Sequence, residues 1–208
     1  MKKLNYYNLF CIFIIGSIFG WFVEGIFTLI KKGILINHSG LVIGPFNLIY
    51  GFGAVMFTIL LYKYRNSNVF KIFLISFVGG TLLEYIGSIW MEYVVGFRAW
   101  DYSKYFLNIQ GRVCLLYSIY WGILGILWIK VIYPFLNNII DNFSINFKKK
   151  FVVFMIIFLI IDELITVSAI NRAHDKDNNI EAHNKYEELL DKTFNKDYLK
   201  NMYNNHWK

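Results

Sequence analysis

The apolar residues of this chain do not recur at helical or strand spacing among polar ones; they come in unbroken blocks separated by short polar interruptions. Cutting at the interruptions leaves blocks near residues 9–30, 45–62, 72–91, 113–133 and 151–170. Each is close to the roughly 20 residues that a helix rising about 1.5 Å per residue needs to cross a hydrocarbon layer. Tyr and Trp gather at the block ends, among them Tyr6, Tyr62, Trp90, Tyr93 and Tyr133, as residues with an apolar body and a polar tip do at a membrane boundary. The pattern predicts an all-α, polytopic integral membrane protein of about five transmembrane helices over residues 1–170. Past Asn171 the chain turns polar, and Ile180, Leu189, Leu190 and Phe194 predict one amphipathic helix in a soluble or interfacial tail, residues 171–208.

Composition agrees: 57% of residues are hydrophobic, 20% aromatic and 17% charged, against roughly 25% charged in soluble domains. The net charge of +7 does not point to nucleic acid, because the basic residues lie between apolar blocks, where they govern topology. With five spans, Lys2, Lys3, Lys63, Arg65, Lys71, Lys148, Lys149 and Lys150 share one face with the single acid Asp141. The positive-inside rule makes that face, and with it the N-terminus, cytoplasmic. The first block is long enough to be a retained span rather than a cleaved leader. Cys11 and Cys114 form no CxxC pattern and the four histidines share no ligand spacing, so neither a metal nor a cofactor is expected.

Four acids stand where lipid would be: Glu24, Glu84, Asp162 and Glu163. An ionised carboxylate at mid-helix costs roughly 2.5 to 3.5 kcal/mol on insertion scales, so something compensates. All four lie on odd-numbered spans, about 9 to 12 Å below the face that carries loops 31–44 and 92–112, and are expected in one layer. Gly16, Gly20 and Glu24 recur every four residues, and Thr81, Glu84 and Ser88 form a similar stripe, so these faces are expected against protein. Arg112, at the start of the fourth span, is the preferred cation for the layer, with Arg98 the next candidate.

On that face the segments GLVIGPFNLIYGFG (40–53), LLEYIGSIWMEYVVGFRAWDYS (82–103) and NIQGRVCLLYSIYWG (108–122) follow in order. The series resembles the bacterial family called putative ABC-transporter type IV, or CmpB-like permeases, over roughly residues 10–130. The motif positions are Gly44, Pro45, Tyr50, Gly51, Glu92, Arg98, Trp100, Asp101, Tyr102 and Ser103. His38, Ser39 and Gly40 stand where the family has an Asn-Arg-Gly turn, and Leu48 where it has a proline. The resemblance implies a multi-pass permease of the bacterial cell membrane. No G-x-x-x-x-G-K-[ST] phosphate loop occurs, so an ATPase would be a separate polypeptide, and a five-span pore implies a homodimer. Gly44 and Pro45 predict either a re-entrant turn lining a polar cavity or a tight turn into an ordinary helix; Asp101 is placed to pair with Arg98 or Arg112 and close a lid over the acids. The leading expectation is a transport protein whose acids and Arg112 form the site. The alternatives are a membrane enzyme acting on a lipid or lipid-linked substrate, for which no nucleophile is recognisable, and a non-transporting scaffold.

Overall fold

The computed structural model describes residues 4–90, 92–93, 98 and 100–202. Lys2, Lys3, Met91, residues 94–97, Ala99 and the end of the tail with His206 lie outside the described residues. The helices are α1 (Tyr6–Lys32), α2 (Leu48–Tyr62), α3 (Val69–Trp90), α4 (Leu115–Leu127), a π-helical turn (Trp128–Ile132) running into α5 (Tyr133–Asp141), α6 (Ile145–Asp177), α7 (Lys185–Thr193) and α8 (Lys196–Met202). Among the described residues four stretches are long and apolar enough to cross a bilayer, namely Tyr6–Lys32, Val69–Trp90, Leu115–Asp141 and Ile145–Asp177, and α2 is a shorter apolar helix. The chain is an all-α membrane protein with the five apolar helices that the blocks predict.

Local chemistry sets the ends. Asn5 caps α1 by accepting the Tyr7 N–H at 3.0 Å, and Gly33, at φ 71°, closes it with its N–H on the Leu29 carbonyl. Ser144 caps α6 on Phe147 N, and Asn184 caps α7 on Glu187 N. Pro134 has no N–H to return to the preceding turn, and the Tyr133 N–H reaches back five residues to the Trp128 carbonyl, which makes the π turn.

The chain divides into two compact units, one made of Met1–Leu4 and Val55–Asn142, the other of Asn5–Ala54 and Phe143–Lys208. In the first, α3 and α4 pack closely because Gly80 lies against Trp121, Gly122 against Phe73 and Gly125 against Ser76. In the second, Ile14, Leu41, Phe46 and Met155 form the core between α1, the 33–47 loop and α6. A further cluster of Val42, Ala169, Ala173, Leu190 and Leu199 binds the tail to α6. The tail is therefore docked: α6 runs on to Asp177, and Arg172, 4% exposed, bonds Asp191 and the Ile180 carbonyl.

Candidate functional site

In the first unit the Thr81, Glu84, Ser88 face of α3 meets protein at every turn. The Thr81 hydroxyl donates to Ser118 at 2.7 Å, Trp121 Nε1 donates to Glu84 at 3.0 Å, and Arg112 donates to Ser88 at 3.1 Å. The Tyr102 hydroxyl also donates to Glu84, at 2.9 Å, from the loop between α3 and α4. Its ring stacks on Tyr117 with centroids 4.4 Å apart, and Tyr105 stands edge-on to both. A carboxylate within an apolar helix is thus met by two neutral donors.

The loop that carries Tyr102 is built to hold it there. Trp100 Nε1 donates to the Arg112 carbonyl at 2.8 Å, Tyr102 N to the Gly111 carbonyl at 2.7 Å, and Ile109 N to the Val113 carbonyl at 2.9 Å. Arg112, 7% exposed, places its guanidinium on Glu92 as well as on Ser88, and Glu92 takes Arg98 at 3.1 Å. Arg112, expected beside the membrane acids, is therefore matched by Glu92, which lies one helical turn past Ser88. Its hydrogen bonds to Arg112 and Arg98 hold the Glu92 carboxyl below its ordinary pKa. Asp101 accepts from the N–H and hydroxyl of Ser103, which pull its pKa down in the same way. Burial, then the charge of Glu84, push the Tyr102 phenol well up, so it stays a donor.

Gly111 sits at φ 68°, and a Cβ there would come within 2.6 Å of Asp101 Oδ1 and 2.7 Å of Ser103 Oγ. Gly111→Val is expected to undo the loop selectively, since the left-handed backbone and the crowding both oppose a branched side chain. Limited proteolysis in detergent should then cut between residues 98 and 112 at a protease dose that leaves wild type whole. Equal resistance of the two proteins would remove this account of the loop.

At the far end of the α3–α4 pair, Tyr62, Arg65, Tyr133, Pro134, Asn137, Asn138 and Asp141 line a cavity of about 320 Å³. Arg65 lies 4.2 Å over the Tyr62 ring.

In the second unit Gly16 and Gly20 bring α1 against Ala54 and Tyr50, and the Tyr50 hydroxyl donates to Glu24. The 33–47 loop is organised around Ser39, whose hydroxyl bonds the Leu41 and Gly44 carbonyls at 2.8 Å each. Gly44, at φ 84°, turns the chain just before Pro45, and regular α2 begins at Leu48. The loop backbone is pinned to α6: Ile43 N donates to Asp162 at 3.1 Å and Val42 N to Thr166 at 3.0 Å. Asp162 is buried, whereas Glu163 is exposed. Of the residues expected in one layer, Glu84 and Arg112 lie in one unit and Glu24, Asp162 and Glu163 in the other.

Trp121, Tyr117 and Tyr198 are contacts that the sequence did not single out, and Ser39 figures there only as a departure from the family's turn. Only the spacing of Ser88, in α3, and Glu92, four residues on and just past its end, carried a signal for the partner of Arg112.

The model of the family described as "Putative ABC-transporter type IV" matches residues 11–167, well over half of the chain. The chain belongs to that family. No curated protein and no solved structure matches it. Membership makes this type IV ABC-transporter family protein a transport-associated, multi-pass membrane protein. The matched stretch holds Glu24, Glu84, Arg112, Asp162 and Glu163 and ends within α6, before the docked tail.

Proposed function

We propose that this chain is the permease part of a transporter, in which Glu84 is the polar group that cargo meets from the non-cytoplasmic side. The observation that carries the reading is the pair of bonds from Tyr102 and Trp121 to Glu84. A carboxylate held by neutral donors keeps its charge for an incoming group, and a donor supplied by the loop ties its exposure to loop movement. The two arginines of the loop are already matched to Glu92. In this reading the ATPase is a separate polypeptide, and two copies complete the pore. The N-terminus, the connection 63–68 with the start of α3, and the connection 142–144 with the start of α6 face the cytoplasm of a bacterial cell. The charge bias supports that orientation, although Lys148 is buried with its ammonium 3.1 Å from Asn8.

A tagged copy expressed in the native host and purified in mild detergent is expected to bring an ATPase polypeptide with it. Glu84→Gln is expected to keep that assembly but lower its cargo-stimulated ATP hydrolysis by roughly tenfold or more, as loss of a group acting in the transport step would. Absence of any ATPase, together with full function of a Glu24→Gln, Glu84→Gln double variant, would sink the proposal.

A further inference from the structure

Asp162 is 1% exposed, although its neighbours Ile161 and Glu163 face outward. One carboxylate oxygen accepts the Ile43 N–H; the other, Oδ2, is sealed from solvent and has no hydrogen-bond partner among the described residues. An ionised oxygen in that position is costly, so the group needs a compensating ligand. A metal ion would need several oxygens arranged around it, whereas a proton needs only Oδ2 itself. The titratable groups set against the carboxyl are Glu163, beside it on α6, and Tyr198, from α8. The phenol of Tyr198 is pushed up by burial and then by the charge of Asp162.

The cover over Asp162 is the 41–43 turn and the tail. Val42 is gripped from both sides: its N–H donates to Thr166, its carbonyl accepts the Tyr198 hydroxyl at 3.0 Å, and its side chain packs with Ala169, Ala173, Leu190 and Leu199. Ion pairs clasp the tail to α6, with Asp191 on Arg172 and Lys176 at 3.1 and 3.4 Å and Lys196 on Asp177. At nine and seven residues, α7 and α8 are too short to persist undocked, so their order depends on these contacts with α6 and Val42.

We propose that Asp162 is a proton-carrying carboxyl and that α7–α8 is its lid, which undocks to connect it with water. This goes beyond the role given to Glu84 and is read without any transport assay. Full-length protein in detergent is treated with a water-soluble carbodiimide and a glycine ester, and amidation at Asp162 is followed by peptide mass spectrometry. Wild type is expected to react slowly at Asp162. Leu199→Asp, which forces a charge into the apolar cluster, is expected to raise that rate roughly tenfold or more by populating the open lid, with amidation of Glu84 unchanged as the internal reference. Tyr198→Phe keeps the ring but loses the bond to Val42 and is expected to fall between; if Leu199→Asp also raises the Glu84 rate, and so fails to fold, Tyr198→Phe alone decides. Equal Asp162 rates in wild type and Tyr198→Phe overturn the lid. For the proton, wild type is expected to show an infrared carbonyl band of a protonated carboxylic acid that Asp162→Asn lacks; the same spectrum from both proteins overturns it.

Discussion

Gly51→Ala is expected to cost about 3 kcal/mol and to lower the midpoint of thermal unfolding by roughly 6 to 12 °C. A Cβ at Gly51 would stand 2.6 Å from the Phe13 carbonyl oxygen and would overlap the Ser17 hydroxyl, which itself donates to that carbonyl at 2.8 Å. The obstruction is backbone, so no side-chain rotation relieves it, and α1 and the first turns of α2 must part. Parting them draws Tyr50 away from Glu24. Two residues on, a Cβ at Gly53 meets nothing within 4 Å. Gly53→Ala is therefore expected to raise stability, by about 0.5 to 1 kcal/mol, through the better helix propensity of alanine. Melting curves of the two variants in one detergent check both signs; equal effects would show that the α1–α2 approach is not tight at Gly51.

Arg112→Leu is expected to cost about 2 kcal/mol and to free the loop that carries Tyr102. A buried guanidinium with a carboxylate and a hydroxyl on it is worth more than a surface pair, but the side chain of Glu92 is 36% exposed and retains Arg98, which pulls the figure below the roughly 3 to 5 kcal/mol of fully buried pairs. Melting curves measure the loss, and proteolysis of loop 98–112 reports the freed loop. Acid sharpens the comparison. The pKa of Glu92 in the folded protein lies below the ordinary 4.5, so its contribution is complete above about pH 4.5 and disappears as the pH falls through the depressed value. Wild type should lose stability across that window, and Arg112→Leu should lose less, because one of the two groups that lower the pKa is gone. Parallel acid limbs in the two proteins would mean that Arg112 and Glu92 do not act on each other.

The helices were readable because each apolar block is near the length of a span, a property of composition that needs no knowledge of partners. The block 45–62 is the shortest of the five, and α2, at 15 residues, is shorter still because the chain through Gly44 and Pro45 forms a turn. Stripes of small and hydroxyl residues announced which faces meet protein: Thr81, Glu84 and Ser88 all bond groups of α4 or its leading loop. Partners across loops were not readable. Tyr102 reaches Glu84 from a loop in which Leu107, Gln110 and Gly111 adopt positive φ, and hydrophobicity does not encode those turns. The tail reads in the sequence as one amphipathic helix, whereas it folds as the two short helices α7 and α8, and its docking rests on widely separated Leu190, Leu199 and Val42 with a buried Arg172, a pattern with no fixed period.

The wide turn at Trp128–Ile132 works as an offset key in the fourth span. Ser118, Gly122 and Gly125, all buried, set the inward face of α4. Carried on by steps of three and four through Ile129, that face would show Ile132, Leu136 and Ile139. A helix turns about 100° per residue, so the single residue gained in the π turn rotates everything beyond it by that amount. The inward positions become Tyr133, Asn137 and Ile140, and Tyr133 and Ile140 are 7% and 2% exposed, while Ile139 is 41% exposed. One continuous rod thereby presents small residues to α3 along its upper half and a tyrosine and an asparagine to the Arg65 cavity along its lower half. Two different neighbours are served without a break in the backbone.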